Sequence, residues 1–359
     1  MGGRNVILLG PLPPPYGGVS IFMDALVEHL REAGVGFRLW ALHGDPQGAG
    51  DGTRLVRHRR LGTLSALLRE GRSARIVDTT HFHLEYPNAV LLPPWLALKR
   101  LLGFEWVKYV LDGSLPERQA RFTPAQRLLF RAALRGVDEL VVVSEELRRW
   151  FEDELGFGRK VTVVPCLLPF TQRDFEAELP AESLAALGPY LARPRRVCSI
   201  GVFIPPYGFR ETAEAVERLR AETGEDVGLA LVDGTFARDE AYRAEVLRGR
   251  DWVTVVENLP NRGVYRLLRR SDAFVRGVAR EGYGISRVEA TWCGLPVVAT
   301  ARGETRGMLL FEPGDVGALA GQLRRALFDP PAAEVGRWAE TFRREAEENL
   351  RAFRAAAGL

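Results

Sequence analysis

Short apolar runs of strand length alternate with amphipathic stretches of helical period along most of the chain, and the whole series occurs twice. Such alternation, punctuated by Gly, Pro and polar clusters, predicts parallel strands joined by covering helices, an α/β fold. The first series places strands over Asn5–Gly10, Gly36–Leu42, Ala74–Thr80, Glu105–Leu111, Asp138–Val143 and Lys160–Val164. Helices fit over Val19–Glu32, Pro124–Arg135 and Ser144–Glu154, the last with Ser144 as N-cap. After Pro165 the periodicity lapses through a segment carrying Pro169, Pro180, Pro189 and Pro194, which reads as an interdomain connection. A second series predicts strands over Arg196–Val202, Val227–Val232, Trp252–Val256, Asp272–Val275 and Leu295–Ala299. Its helices are expected over Glu211–Glu222, Glu240–Arg248, Val264–Arg270 and Ile285–Trp292, followed by a continuous helix over Ala333–Ala356. The expected organisation is an N-terminal Rossmann-like domain (1–168), a linker (169–194), a C-terminal Rossmann-like domain (195–332) and a terminal helix (333–359) that returns to the first domain.

Composition agrees with this division. At 359 residues the chain is long for one core and suits two domains of about 150–200 residues. With 46% hydrophobic and 26% charged residues it has the balance of a soluble globular protein, and no run approaches the roughly 18 apolar residues of a membrane span. No secretory leader pattern opens the chain, so a cytoplasmic location is expected. Cys166, Cys198 and Cys293 are widely spaced and form no metal or disulfide framework, which leaves them as small buried residues. The formal charge of +3 calls for no nucleic-acid partner. One local excess stands out: the stretch 54–75 holds seven arginines against the single acid Glu70, a patch suited to phosphates, to a membrane surface or simply to solvent.

Ligands of open parallel sheets settle beyond the carboxyl ends of strands, so the loops that follow strands carry the chemistry. The first, Gly10-Pro-Leu-Pro-Pro-Pro-Tyr-Gly17-Gly18-Val-Ser20, feeds a helix, and Gly17 and Gly18 let backbone N–H groups approach a phosphate. It is not the G-x-G-x-x-G fingerprint of dinucleotide enzymes. The second, Glu281-Gly-Tyr-Gly-Ile-Ser-Arg-Val-Glu289, sets two carboxylates around glycines at the start of a helix. If Gly284 opens that helix, its first turn offers donors to an anion, Glu289 lies one turn further, and Glu281 stays in the loop. One acid can then accept from sugar hydroxyls and the other from a ribose. The alternative is a loop acid and a surface helix acid paired with Arg280 or Arg287.

These residues, with Ala290 and Gly294-Leu-Pro-Val-Val-Ala-Thr300, the N-terminal Pro14-Pro-Tyr-Gly17-Gly18-Val-Ser20, Val141-Val-Val-Ser144-Glu-Glu-Leu147 and Val163-Val-Pro165, give the chain a resemblance to the retaining glycosyltransferases of family 4. That resemblance covers nearly the whole chain. It implies the GT-B architecture, two facing Rossmann-like domains with parallel sheets, and transfer of a sugar from a nucleotide-diphosphate donor, expected to be UDP-linked, to a hydroxylated acceptor with retention of configuration. It also implies that Gly18 approaches the diphosphate, that Glu289 holds the ribose, and that Glu281 with the backbone of Gly282, Tyr283 and Gly284 holds the sugar, beside Gly17 and Ile285.

The departures matter as much. Where the family carries an Arg and, five residues later, a Lys against the diphosphate, this chain has Val202 and Tyr207. The loss removes charge-assisted hydrogen bonds to the leaving group. Arg276, Arg280 and Arg287 bracket Glu281 and are the expected replacements, Arg276 above all because it ends a strand. Where many family members have His-Gly in the cleft, this chain has Asp112-Gly113; Asp112 is read either as a proton acceptor or as a turn residue. His81 and His83 alternate along a strand end and are read as lining the acceptor site, or one of them as simply packed; Glu281, Asp112 and His83 are the catalytic candidates. The stretch Pro93–Phe104 is read as core, or as a surface that docks a lipid-linked acceptor at a membrane. No cofactor and no metal are expected beyond the sugar nucleotide as co-substrate. The rival readings are a non-catalytic GT-B protein that binds a nucleotide, sugar or partner enzyme, and a nucleotide-sugar epimerase.

Overall fold

The computed structural model describes residues 5–44, 53–56, 59–80, 92–170, 174, 179, 181–235 and 237–359. The chain divides into two compact units, one of Met1–Pro14, Gly18–Leu168 and Glu348–Leu359, the other of Pro15–Gly17 and Pro169–Glu347.

In the first unit the strands β1 (Val6–Gly10), β2 (Arg38–Ala41), β3 (Thr53–Leu55), β4 (Arg75–Asp78), β5 (Glu105–Val110), β6 (Glu139–Val142) and β7 (Val161–Val163) form a seven-stranded sheet in the order β3-β2-β1-β4-β5-β6-β7. Every pairing is parallel. Helix Gly18–Glu32 turns Phe22, Met23, Leu26, Val27 and Leu30 inward, the i, i+4, i+8 stripe that a helix needs to cover a sheet. Phe22 meets Tyr109 of β5 edge-on at 5.3 Å, and Phe353 of the C-terminal helix Ala332–Ala357 packs against both. The end of that helix is held further by Arg75, which donates to Ala356 O, and by Asn349, which donates to Leu167 O.

In the second unit β8 (Arg195–Gly201), β9 (Val227–Asp233), β10 (Val253–Glu257), β11 (Ala273–Arg276), β12 (Val297–Thr300) and β13 (Leu309–Phe311) form a six-stranded parallel sheet in the order β10-β9-β8-β11-β12-β13. Its strands alternate between two cores. Val197, Leu229, Leu231, Val275 and Val298 pack beneath Phe209, Ala213, Val216 and Leu219 of helix Phe209–Thr223. Cys198, Ala230, Val232, Phe274, Val297 and Ala299 meet Leu187 and Tyr190 of helix Ala181–Leu191 and Ala290 of helix Ile285–Trp292.

Several details depart from the sequence reading. The segment read as an interdomain connection holds helix Ala181–Leu191, whose buried Ser183, Leu187 and Tyr190 follow the i, i+4, i+7 rule despite Pro189 in its last turn. The three-residue strands β3 and β13 lack enough length for an alternation to be read. Ser144 is the N-cap of helix Glu145–Arg149, accepting from Leu147 N at 3.2 Å, and the following turn widens to π geometry over Trp150–Glu154. Trp95 and Phe104 bear out the core reading of their stretch, packed edge-on with each other at 5.3 Å. Cys166 and Cys198 are buried and Cys293 half-buried, all as free thiols.

Candidate active site

In the second sheet the strand order reverses beside β8, whose neighbours β9 and β11 leave in opposite directions along the chain. The loops after β8 and β11 therefore stand side by side at the carboxyl edge, the crevice where open α/β sheets receive ligands. The loop after β8 starts with Val202 and Phe203, both fully buried, so the position at which a cation was sought is part of the core. It continues through a short 3-10 turn, Pro205–Tyr207, to Gly208 at φ 70°. A side chain on Gly208 would come within 2.3 Å of Gly277 O, and Ala279 N donates to Pro206 O at 3.0 Å: the two loops touch backbone to backbone. Gly201 plays a similar part, since a Cβ there would lie 2.4 Å from Tyr207 Cδ1.

Arg276 ends β11 and crosses this junction. Its Nε donates to Glu281 Oε2 at 2.8 Å, its Nη1 donates to Ile200 O, and its guanidinium carbon lies 5.2 Å from the centre of the Tyr207 ring. Burial opposes the charge of Arg276, but the Glu281 carboxylate beside it outweighs burial and holds the guanidinium above its ordinary value. The tyrosine that replaces a cation thus forms a platform for a different cation.

Arg287 also reaches Glu281, with Nη2 3.9 Å from Oε2. It was a candidate for the diphosphate, and the structure corrects this: Arg287 is fully buried. Its Nη1 donates to the carbonyls of Thr300, Arg302 and Glu304, tying the loop after β12 to the helix, while Nε and Nη2 have no hydrogen-bond partner. Burial drives its guanidinium down to about 10, against the pull of Glu281. The Glu281 side chain is enclosed by two glycines, since a Cβ on Gly284 or Gly303 would lie 3.1 or 3.0 Å from Glu281 Cγ.

Gly284, at φ 85°, is the N-cap of helix Ile285–Trp292 and no side chain caps the first turn, which leaves N–H groups free for an anion. Glu289 lies one turn on and is 5% exposed, which overturns the reading of a surface acid. Tyr265 Oη donates to Glu289 Oε1 at 2.9 Å and Asn261 Nδ2 donates to Tyr265 Oη at 2.5 Å. Burial raises the Glu289 carboxyl to about 7, with the Tyr265 hydrogen bond acting in the opposite direction and Asp174 adding to the rise. Phe170 closes the neighbourhood, its ring 4.2 Å from that of Tyr265 and 4.4 Å from that of Trp292. Tyr265 was not singled out from the sequence: only the fold brings it to Glu289.

The remaining candidates are placed as follows. Arg280 is exposed, and Gly282, Tyr283 and Ile285 are half-buried around Glu281. Gly18 is the first residue of helix Gly18–Glu32, directly after Gly17, and an added Cβ would meet nothing within 4 Å. Asp112 follows β5 and is used as a turn acid: Oδ1 accepts from Ser114 N and Oγ, both at 2.8 Å, and Oδ2 accepts from Arg118 Nη1. Burial raises its carboxyl, but Arg118 and Ser114 together take it below its usual range. A carboxylate so engaged is a weak proton acceptor. His81 and His83 lie outside the described residues. No group of three or more potential metal ligands occurs among the described residues.

Two parallel sheets, each with covering helices, are the architecture of the GT-B fold. Residues 16–169 match the model of Glycosyltransferase Family 4 and residues 191–344 that of Glycosyl transferases group 1, so the two halves of the chain carry the two glycosyltransferase domains in order. Trehalose synthase of Pyrococcus horikoshii is 24% identical over 87% of this chain and 77% of its own length. O-antigen chain mannosyltransferase B of Escherichia coli is 29% identical over 45% of each chain. Among solved structures, HepE of Anabaena in complex with UDP-glucose superposes with a TM-score of 0.71 at 15% identity, covering 98% of this chain and all of its own. No helix among the described residues is long and apolar enough to cross a membrane.

Proposed function

We propose that this glycosyltransferase moves a hexose from a UDP-linked donor to a hydroxylated saccharide or lipid-linked saccharide, with retention of anomeric configuration and without a metal ion. The reading is carried by the arrangement of Arg276, held between Glu281 and the Tyr207 ring at the mouth of the second sheet. A guanidinium fixed there supplies the bidentate, permanently charged donor that a departing diphosphate needs once Val202 and Tyr207 have replaced the usual cations. The uncapped start of helix Ile285–Trp292 adds backbone N–H groups on the same side, and Arg280 a second cation. Glu281 accepts from hydroxyls of the transferred sugar, with the backbone of Gly282–Gly284 alongside, and Glu289 accepts from the ribose. The UDP-glucose seen in HepE and the saccharide products of the trehalose synthase and the mannosyltransferase support this choice of donor and acceptor class.

The test is a screen of nucleoside diphosphates and their sugars by thermal shift and by product release, run with and without chelator. Expected are stabilisation by a uridine nucleotide, turnover that survives chelation, and loss of both stabilisation and turnover in Arg276→Ala. Stabilisation without turnover in the presence of any acceptor would favour a nucleotide-sugar-binding protein, a role that the apolar Val202 suits. No stabilisation by any nucleotide would end the donor-site assignment.

A further inference from the structure

The loop after β12, residues 301–308, lies directly behind Glu281. Glu304 N donates to Tyr283 O at 2.9 Å. Gly303, at φ 67°, leaves no room for a side chain, since a Cβ there would lie 2.9 Å from Tyr283 O and 3.0 Å from Glu281 Cγ. The loop has no helix or strand of its own, so its position depends on side chains that grip it. From the inside it is held by Arg287, whose Nη1 donates to the carbonyls of Thr300, Arg302 and Glu304. From the outside it is held by Arg306.

Arg306 engages two carboxylates with all three of its guanidinium nitrogens. Nε and Nη2 donate to Glu304 Oε1 and Oε2 at 2.9 and 2.6 Å, while Nη1 and Nη2 donate to Glu345 Oε1 and Oε2 at 2.6 and 2.8 Å. Both contacts are bidentate, the geometry in which an arginine–carboxylate pair is strongest. Glu345 lies on the C-terminal helix, where Trp338, Phe342 and Glu345 follow the i, i+4, i+7 spacing of a single face. The guanidinium carbon of Arg306 is 5.3 Å from the centre of the Trp338 ring and 5.2 Å from that of Phe342. Gly307 completes the contact at φ 73°, where an added Cβ would run into Trp338 Cδ1. Glu304 Oε1 also accepts from Thr305 N at 3.0 Å and Arg306 N at 2.9 Å. Burial favours the neutral form of Glu304, but Arg306 and these amides hold its carboxyl below the ordinary range.

We infer that Arg306 is a positioning residue for sugar transfer: it bolts the loop after β12 to the C-terminal helix and thereby keeps Glu281 aligned with the sugar. An isolated surface ion pair contributes little, but this one joins two bidentate contacts to two ring faces, and Glu304 is only 10% exposed. Each step from Arg306 to Glu281 is a direct contact, through Glu304 to the Tyr283 carbonyl and through Gly303 to Glu281 Cγ. Misplacing a reacting group by about 1 Å can cost about a hundredfold in rate. The clamp acts on the sugar end of the donor and leaves the diphosphate end to Arg276. The inference rests on the reading of Glu281 as the acid that meets the transferred sugar.

Hydrogen exchange of the loop and release of UDP from UDP-glucose test it together. In Arg306→Gln the amides of residues 300–308 are expected to exchange faster, while those of β8 and β11 keep the protection they have in the parent. UDP, which lacks the sugar, should bind within about twofold of the parent, and kcat with UDP-glucose should fall about tenfold or more. Arg306→Glu should lose more than Arg306→Gln. The double variant Arg306→Glu/Glu345→Arg should recover most of both losses, since it sets an arginine on the helix against two acids on the loop. Unchanged loop exchange in Arg306→Gln overturns the clamp. So does faster exchange without a fall in kcat, a loss of UDP affinity equal to the fall in kcat, or exchange that rises in β8 and β11 as much as in the loop, the mark of general destabilisation. If the parent turns over no UDP-glucose, the donor reading fails instead, and loop exchange by itself decides whether Arg306 holds the loop.

Discussion

Arg276 donates through Nε to Glu281 Oε2 over 2.8 Å while its guanidinium lies 5.2 Å from the centre of the Tyr207 ring. One cation thus has an acid at its edge and an aromatic face beneath it. The two charged side chains are only 12% and 14% exposed, so solvent screens the pair partially. Removing Glu281 strands the Arg276 charge, and removing Arg276 leaves Glu281 with Arg287 alone, 3.9 Å away.

The roles of the pair in stability and in donor binding can be separated by a double-mutant cycle. Arg276→Ala should weaken binding of a uridine diphosphate sugar by about ten- to a hundredfold, the worth of a charge-assisted hydrogen bond. Arg276→Ala and Glu281→Gln should each cost stability, and the double variant less than their sum because the second change removes a charge already stranded by the first. Calorimetric titration and denaturant unfolding of the four proteins give both quantities. Additive stabilities would show that the pair is uncoupled, and unchanged donor affinity in Arg276→Ala would remove the arginine from the diphosphate site.

Gly201→Ala probes the platform rather than the charge. The new methyl would lie 2.4 Å from Tyr207 Cδ1 and 3.2 Å from Phe209 Cζ, so the Tyr207 ring has to move away from Arg276. Overpacking of this size costs about 1–3 kcal/mol. The expected result is a lower unfolding midpoint together with weaker donor binding. A donor affinity unaffected by Gly201→Ala would mean that the stacked ring does not position Arg276.

Much of this was legible in the sequence, and the gaps have physical causes. Helix Ile285–Trp292 was read to its ends because Gly284 marks its start and buried positions recur at helical spacing. The alternation that splits the second sheet between two cores is present in the bare runs Val227–Val232 and Val297–Ala299. Helix Ala181–Leu191 was hidden by Pro189, which breaks a pattern on paper more than a helix in its last turn. The missed site contacts are long-range. Tyr207 reaches Arg276 because β8 pairs with β11, and Tyr265 reaches Glu289 because helices Asn261–Leu268 and Ile285–Trp292 cover the same core. Neither residue carries a local signal, and Tyr207 read from the chain alone was only a missing lysine.

Arg287 is predicted to act on turnover through the loop it binds. Its Nη1 serves the carbonyls of Thr300, Arg302 and Glu304, and Gly303 within that loop lies against Glu281. Arg287→Met fills a similar volume and removes the unpartnered Nε and Nη2, yet it strands those carbonyls. The net change in stability should be small, within about 2 kcal/mol of the parent, because the two effects oppose one another. Turnover should fall several-fold more than the donor Kd rises, because the loop no longer holds Glu281 in place. A loss confined to donor affinity would contradict the positioning role.

Glu289 makes donor binding depend on pH near neutrality. Burial raises its carboxyl to about 7, above the ordinary 4.5, so it is protonated below that point and accepts hydrogen bonds fully only above it. Ribose hydroxyls donate, hence the ionised form binds better and donor affinity should rise as pH is raised through about 7. The sign for stability is the reverse. A carboxyl with a raised folded pKa makes the native state bind more protons than the unfolded chain, so its contribution to the stability of the free protein is lost progressively between about pH 4.5 and 7. Bound donor should lower the pKa and flatten that loss. Glu289→Gln cannot ionise and should remove both dependences while leaving the Tyr265 Oη donor with an acceptor. Titrating donor binding from pH 5.5 to 8.5 in parent and variant decides the matter: equal profiles would show that Glu289 does not meet the donor.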